Sequence, residues 1–308
     1  MVRDFELVQL KEHLERCLGW RLQVIVPIGN ASGSLNYRAV REMDGFPFLV
    51  KLKRKTGRDI DRMLDNALTR QLEALSGTKV VKNLFGNQLE DFAEYRLRCL
   101  TWCEGGAVYP DLLTDEELFG ILNDHKVLIA ALQQTEPSMP ARDGVASFMR
   151  IKAGLRGLGG FLLKRALVQM MSAAVIAHDP TRIKVIHGDF HAGNFSVLDG
   201  RVTGIFDLEE SRYGYPAEDI VRYYVCAIEH LCWLAWYRYN RILDSFAKAV
   251  RALPYPADEW HVAINGLLLY KVLRKVEKGC GTGRSLNLLW RLGLYRRMNE
   301  LVEEWGRR

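Results

Sequence analysis

The sequence predicts an α+β fold of two unequal lobes, and three observations carry that prediction. Strand-length apolar segments separated by turn signals crowd into the first third of the chain, helical periodicity dominates the remainder, and one compact hairpin signal interrupts the helical part. The expected division is a small antiparallel-sheet lobe over residues 1–104 and a larger, mostly helical lobe over residues 105–308. A length of 308 residues suits two domains or two lobes, and 48% hydrophobic against 26% charged residues excludes global disorder and low-complexity architecture.

Each element follows from its local pattern. Phe5, Leu7, Val8, Leu10, Leu14 and Leu18 recur at helical spacing among charges of both signs, which makes an amphipathic helix and not a signal peptide. Leu22 to Ile28 is a continuous apolar run of strand length. The Gly- and Ser-rich stretch from Gly29 to Asn36 reads as a loop, Tyr37 to Met43 alternates, Asp44-Gly45 signals a hairpin, and Phe46 to Leu52 resumes a strand. Ile60, Met63, Leu64, Ala67, Leu68, Leu72 and Leu75 define a helix over 59–75. Tyr95, Leu97 and Cys99 then alternate with Glu94, Arg96 and Arg98 as the two faces of a strand, and Gly105-Gly106 marks a hinge.

Beyond the hinge, residues 115–134 form a helix capped by Thr114, and one or two helices broken near Gly157 to Gly160 occupy residues 146–177. Lys184 to Ile186, Phe195 to Leu198 and Val202 to Phe206 are short strands, the last two joined by Asp199-Gly200. Everything after about Ala217 reads as helical and aromatic-rich.

The formal charge of +6 calls for an anionic partner, with nucleic acid, acidic membrane and nucleotide phosphate as the options. No zinc-finger, basic-zipper or RNA-recognition pattern accompanies the charge, so nucleic acid is not expected. The apolar stretch from Phe161 to Ala177 is interrupted by Lys164, Arg165 and Gln169, which leaves no transmembrane segment; peripheral membrane contact through the basic residues of 150–170 is the weaker reading beside a solvated helix face. Cys17, Cys99, Cys103, Cys226, Cys232 and Cys280 contain no CxxC pair, so reduced thiols and a cytoplasmic location are expected.

The chemistry concentrates in His187-Gly188-Asp189-Phe190-His191-Ala192-Gly193-Asn194 and, after the hairpin, Asp207-Leu208-Glu209. A turn after a buried strand carries Asp189 at its tip, Asn194 sits at the mouth of the hairpin, and the return strand delivers Asp207 next to it. Phosphoryl transfer needs one carboxylate to accept the proton of an attacking hydroxyl, and hard oxygen ligands for Mg²⁺ on the ATP phosphates; Asp189 fits the first demand, and Asn194 with Asp207 fits the second.

This arrangement resembles the aminoglycoside phosphotransferase and choline kinase family, small-molecule kinases with a protein-kinase-like two-lobed fold. The resemblance covers most of the chain. It implies ATP and Mg²⁺ as cofactors and a small-molecule hydroxyl as the acceptor. It also implies that backbone groups of Gly33 and Ser34 approach phosphates, that Lys51 contacts the α/β-phosphates, and that the backbone of Thr101 to Cys103 receives adenine. Lys51 would take an acidic partner from the following helix, where Asp65 matches and Glu73 competes. Asp219 would buttress the catalytic loop, with His187 and Glu209 in supporting places. His187 is expected to be a hydrogen-bonded scaffold group, and His191 reads the same way or as a site residue.

Glu209, Glu210, Glu229, Trp233, Trp236, Tyr237 and Tyr239 mix carboxylates with aromatic faces that suit a cationic amino alcohol, an aminoglycoside or a sugar-like acceptor; the alternative is a core stripe. Two competing functional readings are a non-catalytic nucleotide-binding module that engages a partner, and a kinase of a lipopolysaccharide or glycolipid sugar.

Overall fold

A computed structural model describes residues 4–31, 34–54, 84, 90–135, 180–230, 236–277 and 282–307. Helix α1 (Asp4–Leu18) leads into strands β1 (Leu22–Ala31), β2 (Ser34–Arg41), β3 (Pro47–Arg54), β4 (Glu90–Phe92) and β5 (Tyr95–Thr101), which form an antiparallel sheet in the order β1-β2-β3-β5-β4. Leu10 and Leu14 of α1 are buried in one core with Tyr37, Phe48, Val50 and Leu97. The period of two in β3 buries Phe48, Val50 and Leu52, so Lys51 and Lys53 stand on the opposite face. There Lys51 lies opposite Arg98 and Lys53 opposite Arg96. Like charges facing each other across a ladder are destabilising, so this face favours an anion.

The larger lobe contains helix α2 (Asp115–Leu132), strands β6 (Lys184–Ile186), β7 (Phe195–Leu198), β8 (Arg201–Ile205) and β9 (Arg212–Gly214), and helices α3 (Pro216–His230), α4 (Trp236–Ala252), α5 (Ala257–Glu277) and α6 (Thr282–Gly306). Thr114 and Glu117 close a capping box at the start of α2. β7 and β8 form the hairpin over Asp199-Gly200, both in the left-handed region at φ +49° and +69°. A second core, separate from the first, gathers Leu118, Phe190, Phe195, Tyr223, Phe246 and Trp260. Just past the sheet lobe, Gly106 and Val197 of the larger lobe exchange backbone hydrogen bonds of 3.1 and 3.0 Å, and Thr203 donates to the Glu104 carbonyl at the end of the sheet lobe. Gly105 beside them has φ +100°, and a Cβ there would lie 2.2 Å from the Val197 carbonyl oxygen.

Three differences from the sequence expectation are informative. Gly29 to Ala31 belong to β1 and Ser34 opens β2, because the ladder continues through Gly29–Asn36, Asn30–Leu35 and Ala31–Ser34; residues with weak strand preference stay in a strand when the neighbouring chain offers ladder bonds. Strand β4 is not expected from the sequence because its three residues are mostly acidic, and only pairing of Glu90 with Leu97 reveals it. Strand β9 is equally short and exists through its pairing with β6. The helices expected over 59–75 and 146–177 lie outside the described residues. No described helix is long and apolar enough to cross a membrane.

Candidate active site

The loop from β6 to β7 is organised by backbone bonds that its sequence makes possible. Gly188 has φ +80°, and a Cβ would come within 1.9 Å of the Glu210 carbonyl oxygen, so only glycine fits. The Asp219 carboxylate, fully buried at the start of α3, accepts from the backbone N–H of His187 at 2.9 Å and of Gly188 at 2.8 Å. His125 stands 3.4 Å from the same carboxylate. Burial pushes the Asp219 carboxyl up, but His125, His187 and Arg212 outweigh it and hold it below its ordinary value. His187 donates from Nε2 to the Phe206 carbonyl at 2.9 Å, and its Nδ1 faces the Asp189 N–H at 3.3 Å. Arg212 joins the frame through Gly188 O at 2.9 Å and Glu218 at 2.7 Å.

Asp189 projects from this frame. Asn194 Nδ2 donates to its backbone oxygen at 2.9 Å and its carboxylate at 3.2 Å, His191 Nε2 lies 3.7 Å away, and Arg222 from α3 forms an ion pair with it. Burial raises the Asp189 carboxyl, yet His191, Arg222 and His187 together hold it well below the usual carboxylate range, so it is ionised at neutral pH.

Asp207 follows β8 in the left-handed conformation, φ +57° and ψ +59°, which Asp tolerates better than most residues. The Phe206 N–H donates to Asn194 O at 2.8 Å, which ties Asp207 beside Asn194. Lys51 reaches across from the sheet lobe and donates to Asp207 Oδ1 at 2.6 Å. Burial pushes the Asp207 carboxyl up, and the positive charges of Lys51, Lys53 and Arg98 more than compensate.

The structure therefore brings together Lys51, His187, Asp189, Asn194, Asp207 and Asp219. Gly33 and Asp65, with its competitor Glu73, lie outside the described residues, as do the side chains of Ser34 and Glu209; the Ser34 backbone is paired opposite Lys53 in the ladder. Among the described residues the carboxylate at Lys51 is Asp207. Thr101 ends β5, and Cys103 follows it, partly buried, with burial and Glu104 pushing its thiol up to about 11. Tyr237 is exposed while Tyr239 is buried in the core, so these two belong to different faces; Trp233 and the Trp236 side chain lie outside the described residues. Sequence reasoning missed Arg222, although its position three residues after Asp219 on one helix face was a usable signal. It also missed Arg98, whose pairing with Lys51 depends on register.

Solved structures share this two-lobed, protein-kinase-like fold. The amicoumacin kinase hAmiN, solved with AMP-PNP, Ca²⁺ and Ami, has TM-score 0.64 at 15% identity, with 98% of this chain and 94% of that chain covered. A thermostable mutant of the aminoglycoside phosphotransferase APH(4)-Ia, solved with ADP and hygromycin B, has TM-score 0.64 at 13% identity over 96% and 98%. The macrolide 2'-phosphotransferase MphH of Brachybacterium faecium has TM-score 0.60 at 14% identity over 90% and 94%. No curated protein matches the chain. Residues 24–254 match the model of the phosphotransferase enzyme family, and the chain belongs to that family. It is a small-molecule phosphotransferase.

Proposed function

We propose that the protein transfers the γ-phosphoryl group of ATP to a hydroxyl of an amino alcohol, aminoglycoside or sugar-like acceptor. The observation that carries this reading is the convergence of an ionised Asp189, an Asn194–Asp207 pair and Lys51 from the opposite lobe in one cluster. Nucleotides in the amicoumacin kinase and in APH(4)-Ia support ATP as donor.

On this reading residues 1–104 bind nucleotide and residues 105–308 supply the catalytic loop and the acceptor site. Asp189 accepts the hydroxyl proton and orients the oxygen toward phosphorus. Lys51 contacts the phosphates, the cationic face it shares with Arg98 and Lys53 meets their charge, and the backbone of Gly33, Ser34 and Thr101 to Cys103 lines the nucleotide. The donor set at Asn194 and Asp207 consists of hard oxygens, because Asn194 directs its nitrogen at Asp189 and Asp207 gives only Oδ1 to Lys51, and this fits Mg²⁺. Bound there, Mg²⁺ supplies charge neutralisation on the phosphates. Asp219 and His187 hold the loop. Cys17, Cys99, Cys103 and Cys226 are in no disulfide, which suits a reducing cytoplasm.

The test is ADP release in a screen of amino alcohols, aminoglycosides, aminosugars, nucleosides and glycolipid headgroups. Asp189→Asn is expected to keep nucleotide binding and to lower kcat by roughly 10²–10⁴ with the acceptor that responds. Equal turnover by the variant and the wild type would overturn the reading.

A further inference from the structure

A second cluster of metal-ligating atoms lies on α1 and β4, elements that contribute nothing to the Asp189–Asp207 site. His13 and Cys17 are four residues apart, so they share one face of α1. Glu90 opens the edge strand β4 opposite them. His13 Nε2 is 3.4 Å from Cys17 Sγ, and Cys17 Sγ is 3.8 Å from Glu90 Oε2. One ligand atom from each residue falls within 4.8 Å of the other two. The His13 ring also packs on Phe92 of β4 at 5.3 Å, which holds the imidazole on the strand side.

The 3.4 and 3.8 Å separations at Cys17 are near those of a coordination shell. Tetrahedral zinc with Zn–S of about 2.3 Å and Zn–N or Zn–O of about 2.0–2.2 Å places neighbouring ligand atoms ~3.5 Å apart. Nitrogen, sulfur and carboxylate oxygen together are the donor set that zinc accepts, and one sulfur among them disfavours Mg²⁺ and Ca²⁺. All three residues are partly buried, so the site is reachable yet partly shielded.

We propose that His13, Cys17 and Glu90 form a three-ligand site for a zinc-class divalent ion, with water in the fourth tetrahedral position. Binding forms a metal–sulfur bond and releases the Cys17 thiol proton to water. The ion would clip α1 to the exposed edge of the five-stranded sheet, so its effect is on the stability of this lobe.

The test uses reduced full-length protein treated with chelator and then freed of it, with excess Mg²⁺ present to saturate hard-oxygen sites. Co²⁺ is expected to give a near-ultraviolet thiolate-to-cobalt charge-transfer absorption that saturates at one equivalent. Cys17→Ser should abolish it and Cys103→Ser should retain it. Zn²⁺ should displace the cobalt and raise Tm, and Glu90→Gln should weaken Zn²⁺ by no less than the ~10-fold that loss of an outer-shell partner costs. No absorption in the wild type, or a band that survives in Cys17→Ser, overturns the proposal. Should Cys17→Ser fail to fold, His13→Asn takes its place: loss of the band with native circular dichroism supports the site, and an unchanged band overturns it. Phosphotransfer is a separate readout, so failure here leaves the kinase reading intact.

Discussion

Gly188 shows how tightly single residues are constrained around Asp189. Its φ of +80° strains any side chain, and the Glu210 carbonyl oxygen, 1.9 Å from where a Cβ would stand, leaves no room for one. Gly188→Ala is expected to cost about 3 kcal/mol and to disturb Asp189, read as a lower urea midpoint together with lost turnover. At the same scale, Lys51 is held at 2.6 Å from Asp207. Lys51→Met should remove one charge-assisted contact to phosphate and raise the KM for ATP by roughly 10–100-fold, measured with the acceptor saturating. The identities of Asp189, Asn194 and Asp207 were legible in the sequence because their spacing is local. The ion pair of Asp189 with Arg222 was not, because it joins a loop to a helix that only packing brings near.

Among the elements, the start of α3 does the most to position the site. Asp219 takes two backbone N–H groups of the β6–β7 loop on one buried carboxylate, so the helix and the loop are locked to each other. Asp219→Ala leaves both donors and His125 without that acceptor and should destabilise the protein by about 2–5 kcal/mol, seen as a lower Tm with little change when Mg²⁺ or ATP is added. The strands β6, β7 and β8 were legible from apolar runs and a left-handed turn pair, and Thr114 from its place before a periodic segment. Strands β4 and β9 were not, since three-residue strands carry too little pattern and are defined by their partners.

At the scale of the molecule, two separate cores are joined across the cleft by the Lys51–Asp207 pair, so the site is assembled from both lobes. The larger core also carries a pH-sensitive group. Glu259, 4% exposed at the start of α5, accepts from the Ala217 N–H at 3.3 Å, and burial pushes its carboxyl up to about 7. The folded state therefore holds a proton that the unfolded chain releases near its ordinary value of about 4.3, and stability falls as pH rises through the interval between the two. Glu259→Gln keeps the acceptor without the charge. It should raise stability by only about 1 kcal/mol at pH 5 and by on the order of 3–4 kcal/mol at pH 8, measured by denaturation at both pH values. The sequence by itself determined the two-lobed α+β class and the close spacing of Asp189, Asn194 and Asp207, because periodicity and short-range spacing are properties of neighbouring residues. Only the tertiary structure decided which carboxylate meets Lys51, that Arg98 joins its cationic face, and that Arg222 holds Asp189. Those contacts join residues far apart in the chain, and strand register and helix packing, not local pattern, bring them together.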